Sequence, residues 1–287
     1  MKKGNSFQRA FGIFLCAAIV LSLLYFSGAM ESIIEVLPFA KEKPRMNRVD
    51  LTESELFSFS TDGATLDRLG ITRDDALFLI NRDHPVPEDR EFAIDEYKTS
   101  GVLMNRAMLE DYARLSAAVT ERTNDKLYVM SSFRSFEKQR ALFDEDPETA
   151  AEPGFSEHHS GLALDVYVYM YAGAGFLNSE AGKFVNRNAH DYGFIIRYPR
   201  GKEKVTGFPF EPWHIRYVGS PHARYISLNN ITLEEYIESL EEGVFYEIDG
   251  SIVSRQIGDL LYAPQKAIDI TVSEDNTGGY IITAKMK

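Results

Sequence analysis

The fold is decided by the stretch Ser156-Glu157-His158-His159-Ser160-Gly161-Leu162-Ala163-Leu164-Asp165. From Gly161 to Val168, aliphatic residues stand at every other position, which predicts a strand with Ala163 and Asp165 on one face. A charge in the middle of a strand is costly unless a cation or a metal ion pairs with it. Gly161 permits a backbone turn that would bring His158 to the same side as Asp165.

A second patch, Glu211-Pro212-Trp213-His214, opens another alternating segment. Alternation from Trp213 to Val218 allows His214 to lie on a strand beside Asp165. Two imidazoles and a carboxylate are a common ligand set for a catalytic zinc, whose fourth position is left to water. Glu211 then remains as a carboxylate that is free not to bind the metal. On the residues alone, two interpretations stay open: one metal site, or four unrelated polar side chains.

The composition of the 287 residues is ordinary for a globular protein, with 44% hydrophobic and 12% aromatic residues. The formal charge of -12 argues against a nucleic-acid binder, because affinity for a polyanion requires clustered lysine and arginine. Cys16 is the only cysteine, which excludes an internal disulfide framework and a cysteine-based zinc cluster. Any metal site must therefore use histidine and carboxylate ligands.

The first 30 residues have the pattern of a membrane-targeting signal. Lys2, Lys3 and Arg9 precede an uncharged apolar run over residues 10–30, which meets the roughly 20-residue requirement for a spanning helix. Residues 1–30 are therefore predicted to be an uncleaved anchor that places the rest of the chain outside the membrane. Small residues at the end of the run are also typical of a signal-peptidase site, so the alternative is secretion after cleavage at Ala29. Residues 31–74 are predicted to be a stalk or a loosely structured lead-in.

Residues 75–242 have the pattern of one folded domain, in which predicted strands and helices alternate. Apolar residues at helical spacing predict a helix from Met104 to about Arg122, and Thr232 with Glu235 forms a capping box for another. Two hairpin patterns, with turns at Asp249-Gly250 and Gly278-Gly279, predict a small β appendage over residues 243–287. The other predicted elements are strands at Ala76–Ile80, Leu127–Met130 and Gly193–Tyr198, and helices at Phe136–Glu145 and from Asn178 or Ser179 to about Tyr192.

The two motifs together resemble a family signature. Ser156-x-His158-x-x-Gly161-x-Ala163-x-Asp165 with Glu211-x-Trp213-His214 is similar to the pattern of the VanY-type zinc D-alanyl-D-alanine carboxypeptidases, which are related to bacterial L,D-carboxypeptidases. The resemblance implies that His158, Asp165 and His214 bind one zinc ion and that Glu211 is the general base. We expect an α+β fold, with a single catalytic domain built on a central antiparallel sheet flanked by helices, an N-terminal membrane helix and a small C-terminal β appendage.

Four further residues are predicted to act on the substrate. Arg134 presents a fork of donors that suits a carboxylate or a developing oxyanion, and its alternative is a surface ion pair. Ser156 either binds the terminal carboxylate of the substrate or braces its loop. Gln139 matches a family position near the substrate, with a structural role as the alternative, and Trp213 stands beside His214. His159 points away from His158 on an extended segment, so it is predicted not to bind the metal and instead to line the cleft.

The resemblance implies a zinc metallopeptidase that removes the C-terminal D-alanine from peptidoglycan stem peptides by means of metal-activated water. Its partners would be these peptides and, through residues 1–30, the membrane, with no nucleic acid. One alternative is an L,D-carboxypeptidase or an endopeptidase that acts on the same stems. The other is a non-catalytic, zinc-containing module that binds cell-wall peptide.

Overall fold

The fold combines short helices with several sheets, in a computed structural model that describes residues 42–148 and 150–287. Residues Pro44–Lys287 form one compact unit. The helices are α1 (Gly63–Leu69), α2 (Leu109–Thr123), α3 (Phe136–Glu145), α4 (Glu180–Asn188), α5 (Glu203–Thr206), α6 (His222–Asn229) and α7 (Leu233–Ser239). The strands are β1 (Asn47–Val49), β2 (Leu56–Ser60), β3 (Thr72–Asp74), β4 (Ile94–Glu96), β5 (Leu103–Asn105), β6 (Tyr128–Ser131), β7 (Ala163–Tyr167), β8 (Phe194–Ile196), β9 (His214–Tyr217), β10 (Phe245–Ile248), β11 (Ser251–Gln256), β12 (Leu260–Pro264), β13 (Ala267–Glu274) and β14 (Tyr280–Met286).

The sheet that positions the site has four antiparallel strands in the order β6-β7-β9-β8. Leu164 and Val166 of β7 are buried in one apolar cluster with Leu115 of α2 and Val185 of α4. Each such side chain contributes roughly 1.5–3 kcal/mol on burial, so this cluster fixes which face of the sheet the helices cover. The predicted mixed fold with a central antiparallel sheet is confirmed, and Asp165 lies on the opposite, partly exposed face.

Helix α2 shows how the predicted helical spacing is realised. Its apolar stripe is buried, and the helix ends at Asn124 in the left-handed conformation with φ 60°. It begins at Leu109, because the predicted start at Met104 belongs to β5, which pairs with β4. The length predicted for the helix was therefore too great by about one turn at its N-terminus.

A second layer is built from strands at both ends of the described chain. Six strands form a sheet in the order β1-β10-β11-β14-β13-β3, and β2 pairs with β12. Both predicted hairpins, β10–β11 and β13–β14, are confirmed. The prediction of a loosely structured lead-in is wrong from Asn47 onward, since β1 pairs with β10 and β3 pairs in parallel with β13. The C-terminal strands are therefore part of a larger sheet and not a separate small appendage.

The apolar run Ala76–Ile80 is buried but is not the strand that we predicted. The Leu77 amide donates to Ser273 Oγ at 2.9 Å and the Leu79 amide donates to the Asp275 carbonyl at 3.2 Å, so the β13 end of the second sheet holds this segment. The carbonyls of Ala76 and Phe78 accept from Arg216, and the carbonyl of Ile80 accepts from Arg197. Bonds to side chains and to a loop replace the strand ladder that the apolar run suggested.

The predicted membrane segment, residues 1–30, lies outside the described residues. None of the helices within residues 42–148 and 150–287 is both long and apolar enough to span a membrane.

Candidate metal centre and catalytic site

Three side chains meet as the alternation predicted. Asp165 of β7 is the direct cross-strand partner of His214 of β9, and their side chains approach to 3.0 Å between Oδ1 and Nδ1. His158 Nε2 lies 3.2 Å from Asp165 Oδ2. One ligand atom from each residue lies within 4.8 Å of the other two. A single ion can therefore reach all three, with small adjustments toward the roughly 2 Å distances of nitrogen and oxygen ligands.

Gly161 makes the turn that brings His158 to the cluster. His158 belongs to a short 3-10 helix, Glu157–Ser160, which Gly161 ends in the left-handed conformation with φ 67°. A Cβ at this position would lie 2.5 Å from Ile94 Cδ1 and 2.9 Å from the Asn105 nitrogen. Both the backbone conformation and the close packing therefore require glycine.

The two imidazoles are oriented by partners on their other nitrogens. His158 Nδ1 lies 2.9 Å from the Ser132 carbonyl oxygen, and His214 Nε2 lies 3.4 Å from Glu157 Oε2. Because a carbonyl or carboxylate oxygen only accepts, each of these outer nitrogens would keep its proton when a metal ion displaces the proton that the inner nitrogen shares with Asp165. The lone pairs of His158 Nε2 and His214 Nδ1 then face the cluster, which is the arrangement that metal-binding histidines use.

The electrostatics of the cluster favour a cation. Burial opposes the charge on Asp165, yet hydrogen bonds from the two histidines hold its pKa below the usual range. Burial also disfavours a charged His214, but Asp165 and Glu157 raise the pKa of His214 to about 9. The site therefore attracts a positive charge between two carboxylates. Donor type, distances and charge all fit a metal ion that takes nitrogen and oxygen ligands.

Glu211 lies beside the cluster without belonging to it. Its Oε2 is 3.9 Å from His214 Nδ1, and its side chain is partly exposed. Burial raises the pKa of Glu211; His214 lowers it in part, and the charge of Asp165 raises it further. A carboxylate with a raised pKa beside a cluster of candidate metal ligands has the location of a general base, the role predicted for it.

One cavity of about 190 Å³ adjoins these groups. Seven of the eight predicted site residues line it: Arg134, Ser156, His158, Asp165, Glu211, Trp213 and His214. Tyr198 and Phe208, which stack on each other at 4.6 Å, form part of the wall. The structure thus brings together predicted site residues from three separate parts of the sequence, while the roles predicted for them remain predictions.

Gln139 is the predicted site residue that does not reach the cavity. Its side chain is fully buried, accepts from Arg134 Nη1 at 2.7 Å and donates to the Ala151 carbonyl at 2.6 Å. Both ends of the amide are engaged inside the protein, which supports the structural alternative, and substrate binding by Gln139 stays a prediction. Gln139 positions Arg134, whose Nη2 is also held by Ser131 Oγ at 2.6 Å.

His159 is turned away from the cluster and is buried. Its ring stacks on Phe136 at 4.1 Å, its Nδ1 faces the Arg134 carbonyl at 2.8 Å, and its Nε2 accepts from the Gly154 amide at 3.0 Å. The prediction that it does not join the metal ligands is confirmed, but it braces the loop and does not line the cavity.

Comparison with known proteins agrees with this geometry. Residues 101–220 match the family model VanY: D-alanyl-D-alanine carboxypeptidase. A D-alanyl-D-alanine carboxypeptidase of Enterococcus faecium is 30% identical over 275 residues, covering 85% of this chain and 88% of the relative. The chain belongs to the VanY family.

Two solved structures from related proteins are similar to this VanY-family chain. A mutant of the vancomycin resistance D,D-pentapeptidase VanY, from the VanB-type resistance cassette and in complex with Zn(II), is 31% identical, with a TM-score of 0.50 over 56% of this chain and 98% of that one. The LD-carboxypeptidase LdcB is 32% identical, with a TM-score of 0.52 over 58% of this chain and 87% of that one. All eight predicted site residues lie within the VanY match.

The sequence did not reveal Glu157 as part of this VanY-family site. Its Oε1 accepts from Arg197 Nε at 2.6 Å and from Arg216 Nη1 at 2.7 Å, and all three side chains are almost completely buried. Burial disfavours its charge, but the two guanidinium groups hold the pKa of Glu157 below the usual range. One available signal was Arg216, which alternation places on the same strand face as His214.

Proposed function

We propose that this chain is a zinc-dependent carboxypeptidase that removes the C-terminal D-alanine from peptidoglycan stem peptides. The observation that carries the proposal is Glu211, a carboxylate with a raised pKa that lies beside a three-ligand cluster but outside it. The names of the relatives support the substrate class, and the Zn(II) in the VanY neighbour supports the metal.

His158, Asp165 and His214 would hold the zinc ion. When bound, zinc supplies Lewis acidity, which lowers the pKa of water and polarises a peptide carbonyl. Ser132 and Glu157 accept from the outer nitrogen of each ring, so the inner nitrogen, which faces Asp165, is the one that would give up its proton and bind the ion.

Glu211 carries out the proton transfer. As a carboxylate it takes the proton of the attacking water, and as a carboxylic acid it passes that proton to the leaving amine of D-alanine. Its raised pKa suits both halves of the cycle, because the group must gain and then lose a proton. Its Oε2 lies 3.9 Å from His214 Nδ1, which places it beside the three candidate ligands without making it one of them.

Arg134 binds the terminal carboxylate of the substrate. Gln139 and Ser131 hold two of its donors, which fixes the plane of the guanidinium group and leaves other N–H donors for a carboxylate in the cavity. Ser156 and Trp213 line the same cavity and limit the space around the last residue of the peptide.

The test compares Glu211→Gln with the parent protein on a synthetic pentapeptide stem. We expect the variant to retain one equivalent of zinc by elemental analysis and to release D-alanine at least about 100-fold more slowly, because it lacks the base. Glu110→Gln, an exposed change on α2, serves as the control with the same loss of charge. Undiminished hydrolysis by Glu211→Gln would remove the proposed mechanism, and zinc binding with no product from the parent would favour a binding module.

The likeness to LdcB favours a second candidate, an L,D-carboxypeptidase that acts on tetrapeptide stems. Incubation with pentapeptide and tetrapeptide stems, followed by mass spectrometry, separates the two activities. Loss of one alanine from the pentapeptide alone supports the D,D activity, whereas loss from the tetrapeptide alone supports the L,D activity.

We also propose that the catalytic domain works on the outer side of the cytoplasmic membrane, through the basic and apolar residues of the first 30 positions. Fractionation of cells that express the full chain tests this location. An anchored protein stays with the membrane in full length, whereas one cleaved after Ala29 is released with a new N-terminus.

A further inference from the structure

Exposed aromatic and methionine side chains form a patch beside the candidate site. Tyr169 and Met170, just after β7, are 80% and 79% exposed, and Met130 on the edge strand β6 is 60% exposed. Contiguous exposed apolar groups of this kind commonly mark a ligand-binding surface. We define the aromatic patch as Tyr128, Met130, Tyr167, Tyr169, Met170 and Tyr171.

The patch lies along the same two strands as Asp165, one of the residues that line the cavity. Tyr167 follows Asp165 by two positions on β7, so both side chains point to the same face of the sheet. Tyr128 of β6 pairs with Tyr167, and their rings stack at 5.4 Å. Ser131, on the same edge strand, pairs with Asp165. A substrate bound at Asp165 can therefore extend along β6 and β7 onto the patch.

The tip of the patch is a strained turn. Val168 and Tyr171 exchange both backbone hydrogen bonds, at 3.1 and 2.9 Å, which makes Tyr169 and Met170 a two-residue turn. Met170 has a φ of 71°, a left-handed conformation that normally favours glycine or asparagine. Packing does not compensate for this strain, because the methionine side chain is exposed. Folding alone does not account for a tyrosine and a methionine at this turn.

The direction of the substrate follows from the position of Arg134. The chain from Ser131 to Arg134 leads away from the β6 residues that pair with the patch, so Arg134 and the patch lie on opposite sides of Asp165. With the terminal carboxylate at Arg134, the amino-terminal part of the stem points toward Tyr169. At about 3.3 Å per residue, Tyr169 is roughly 13 Å beyond Asp165, which is the reach of four extended residues.

Four residues separate the scissile bond of a pentapeptide stem from the sugar that carries it. We propose that the aromatic patch binds this sugar, an N-acetylated amino sugar of the glycan strand; the inference rests on the proposed function. The flat faces of Tyr169 and Tyr171 suit the C–H face and acetyl methyl group of such a sugar, and their hydroxyl groups suit its polar edge. The patch thereby favours stems attached to glycan over free peptides.

The experiment compares two substrates: a free pentapeptide and the same pentapeptide on its disaccharide. The test variant is Tyr169→Ser/Met170→Gly, whose glycine removes the left-handed strain and so preserves the fold. Tyr262→Ser is the control, because it also removes an exposed tyrosine (43% exposed) but lies on β12, outside the aromatic patch. We expect the test variant to lose about tenfold in kcat/KM on the disaccharide substrate and less than about twofold on the free peptide.

Equal losses on both substrates would overturn the proposal in favour of a peptide contact. Unchanged rates on both would also overturn it, and a simultaneous loss of binding to vesicles of anionic phospholipid would assign the patch to the membrane surface. If the parent cleaves neither substrate, the proposed function is wrong, but this result does not test the sugar site. Calorimetric binding of both compounds to the parent and the test variant then decides the sugar site independently of cleavage.

Discussion

Replacing Glu157 by glutamine is expected to weaken metal binding from outside the ligand set. Arg197 and Arg216 both donate to Oε1 of Glu157, at 2.6 and 2.7 Å, so they would hold the oxygen of the new amide at that position. The amide nitrogen would then occupy the Oε2 position, 3.4 Å from His214 Nε2. Two donors would face each other, and the tautomer that directs the Nδ1 lone pair to the metal would lose its support.

The size of the effect follows from this contact. Loss of a partner that orients a metal-binding histidine weakens metal affinity by about 10- to 100-fold, or about 1.4–2.7 kcal/mol. Removing one member of a buried ion pair also lowers the free energy of unfolding, by up to about 3–5 kcal/mol. Arg197 keeps Glu234 as a second partner at 2.6 Å, whereas the other bonds of Arg216 go to backbone carbonyls. Most of the destabilisation therefore comes from leaving the buried Arg216 without a carboxylate partner.

Metal affinity is measured by competition with a chromophoric zinc chelator, at a temperature where circular dichroism shows each variant folded. Glu234→Gln is the matched control, because it removes the same charge from Arg197 without contacting His214. We expect it to lower stability while its zinc affinity stays within about twofold of the parent value. Parent-like zinc affinity in Glu157→Gln, or equal weakening in both variants, would refute the role assigned to Glu157.

Three further predictions concern the turn, the arginine and the response to acid. Gly161→Ala is expected to lower the free energy of unfolding by about 2 kcal/mol more than Gly250→Ala in denaturant titrations, since both have left-handed backbones but Gly250 has open space around it. Gln139→Met is expected to raise KM for the pentapeptide about tenfold with little change in kcat, because it loosens Arg134; an equal fall in kcat would contradict this. Burial lowers the pKa of His222 from 6.5 to about 3, so the unfolded chain binds the proton first and stability falls as the pH drops below 6.5. Between pH 7 and pH 4.5, the melting temperature of His222→Gln should therefore fall less than the melting temperature of the parent.

Most of the candidate site was predicted from the alternation of side chains along two strands. It placed Asp165 and His214 on facing strands, and the register confirms them as direct partners. This worked because β7 and β9 have one apolar face, which specifies register strongly. Gly161 was informative for the same reason, since its turn follows from local conformation.

The missed features depend on contacts between distant positions. Strand β1 has three residues with a mostly exposed pattern, and its partner β10 is about 200 positions away, so no local signal marks it. Glu157 is 40 positions from Arg197 and 59 from Arg216, and in the sequence it is one acidic residue among many. The run Ala76–Ile80 has the composition of a buried strand, but its backbone groups bond to side chains and a loop from elsewhere in the chain.

The support of Ala76–Ile80 has a consequence for the order of events during synthesis. The carbonyls of Ala76 and Phe78 accept from Arg216 at 3.1 and 2.8 Å, and the segment itself is held by Ser273 and Asp275. Ser273 lies in β13 and Asp275 directly follows it, and β13 pairs with β14, the last strand of the described residues. A nascent chain that already contains the candidate metal ligands His158, Asp165 and His214 therefore still lacks the strands that complete this support. The buried segment that contacts Arg216 is therefore fully supported only after β13 and β14 have been made and have paired.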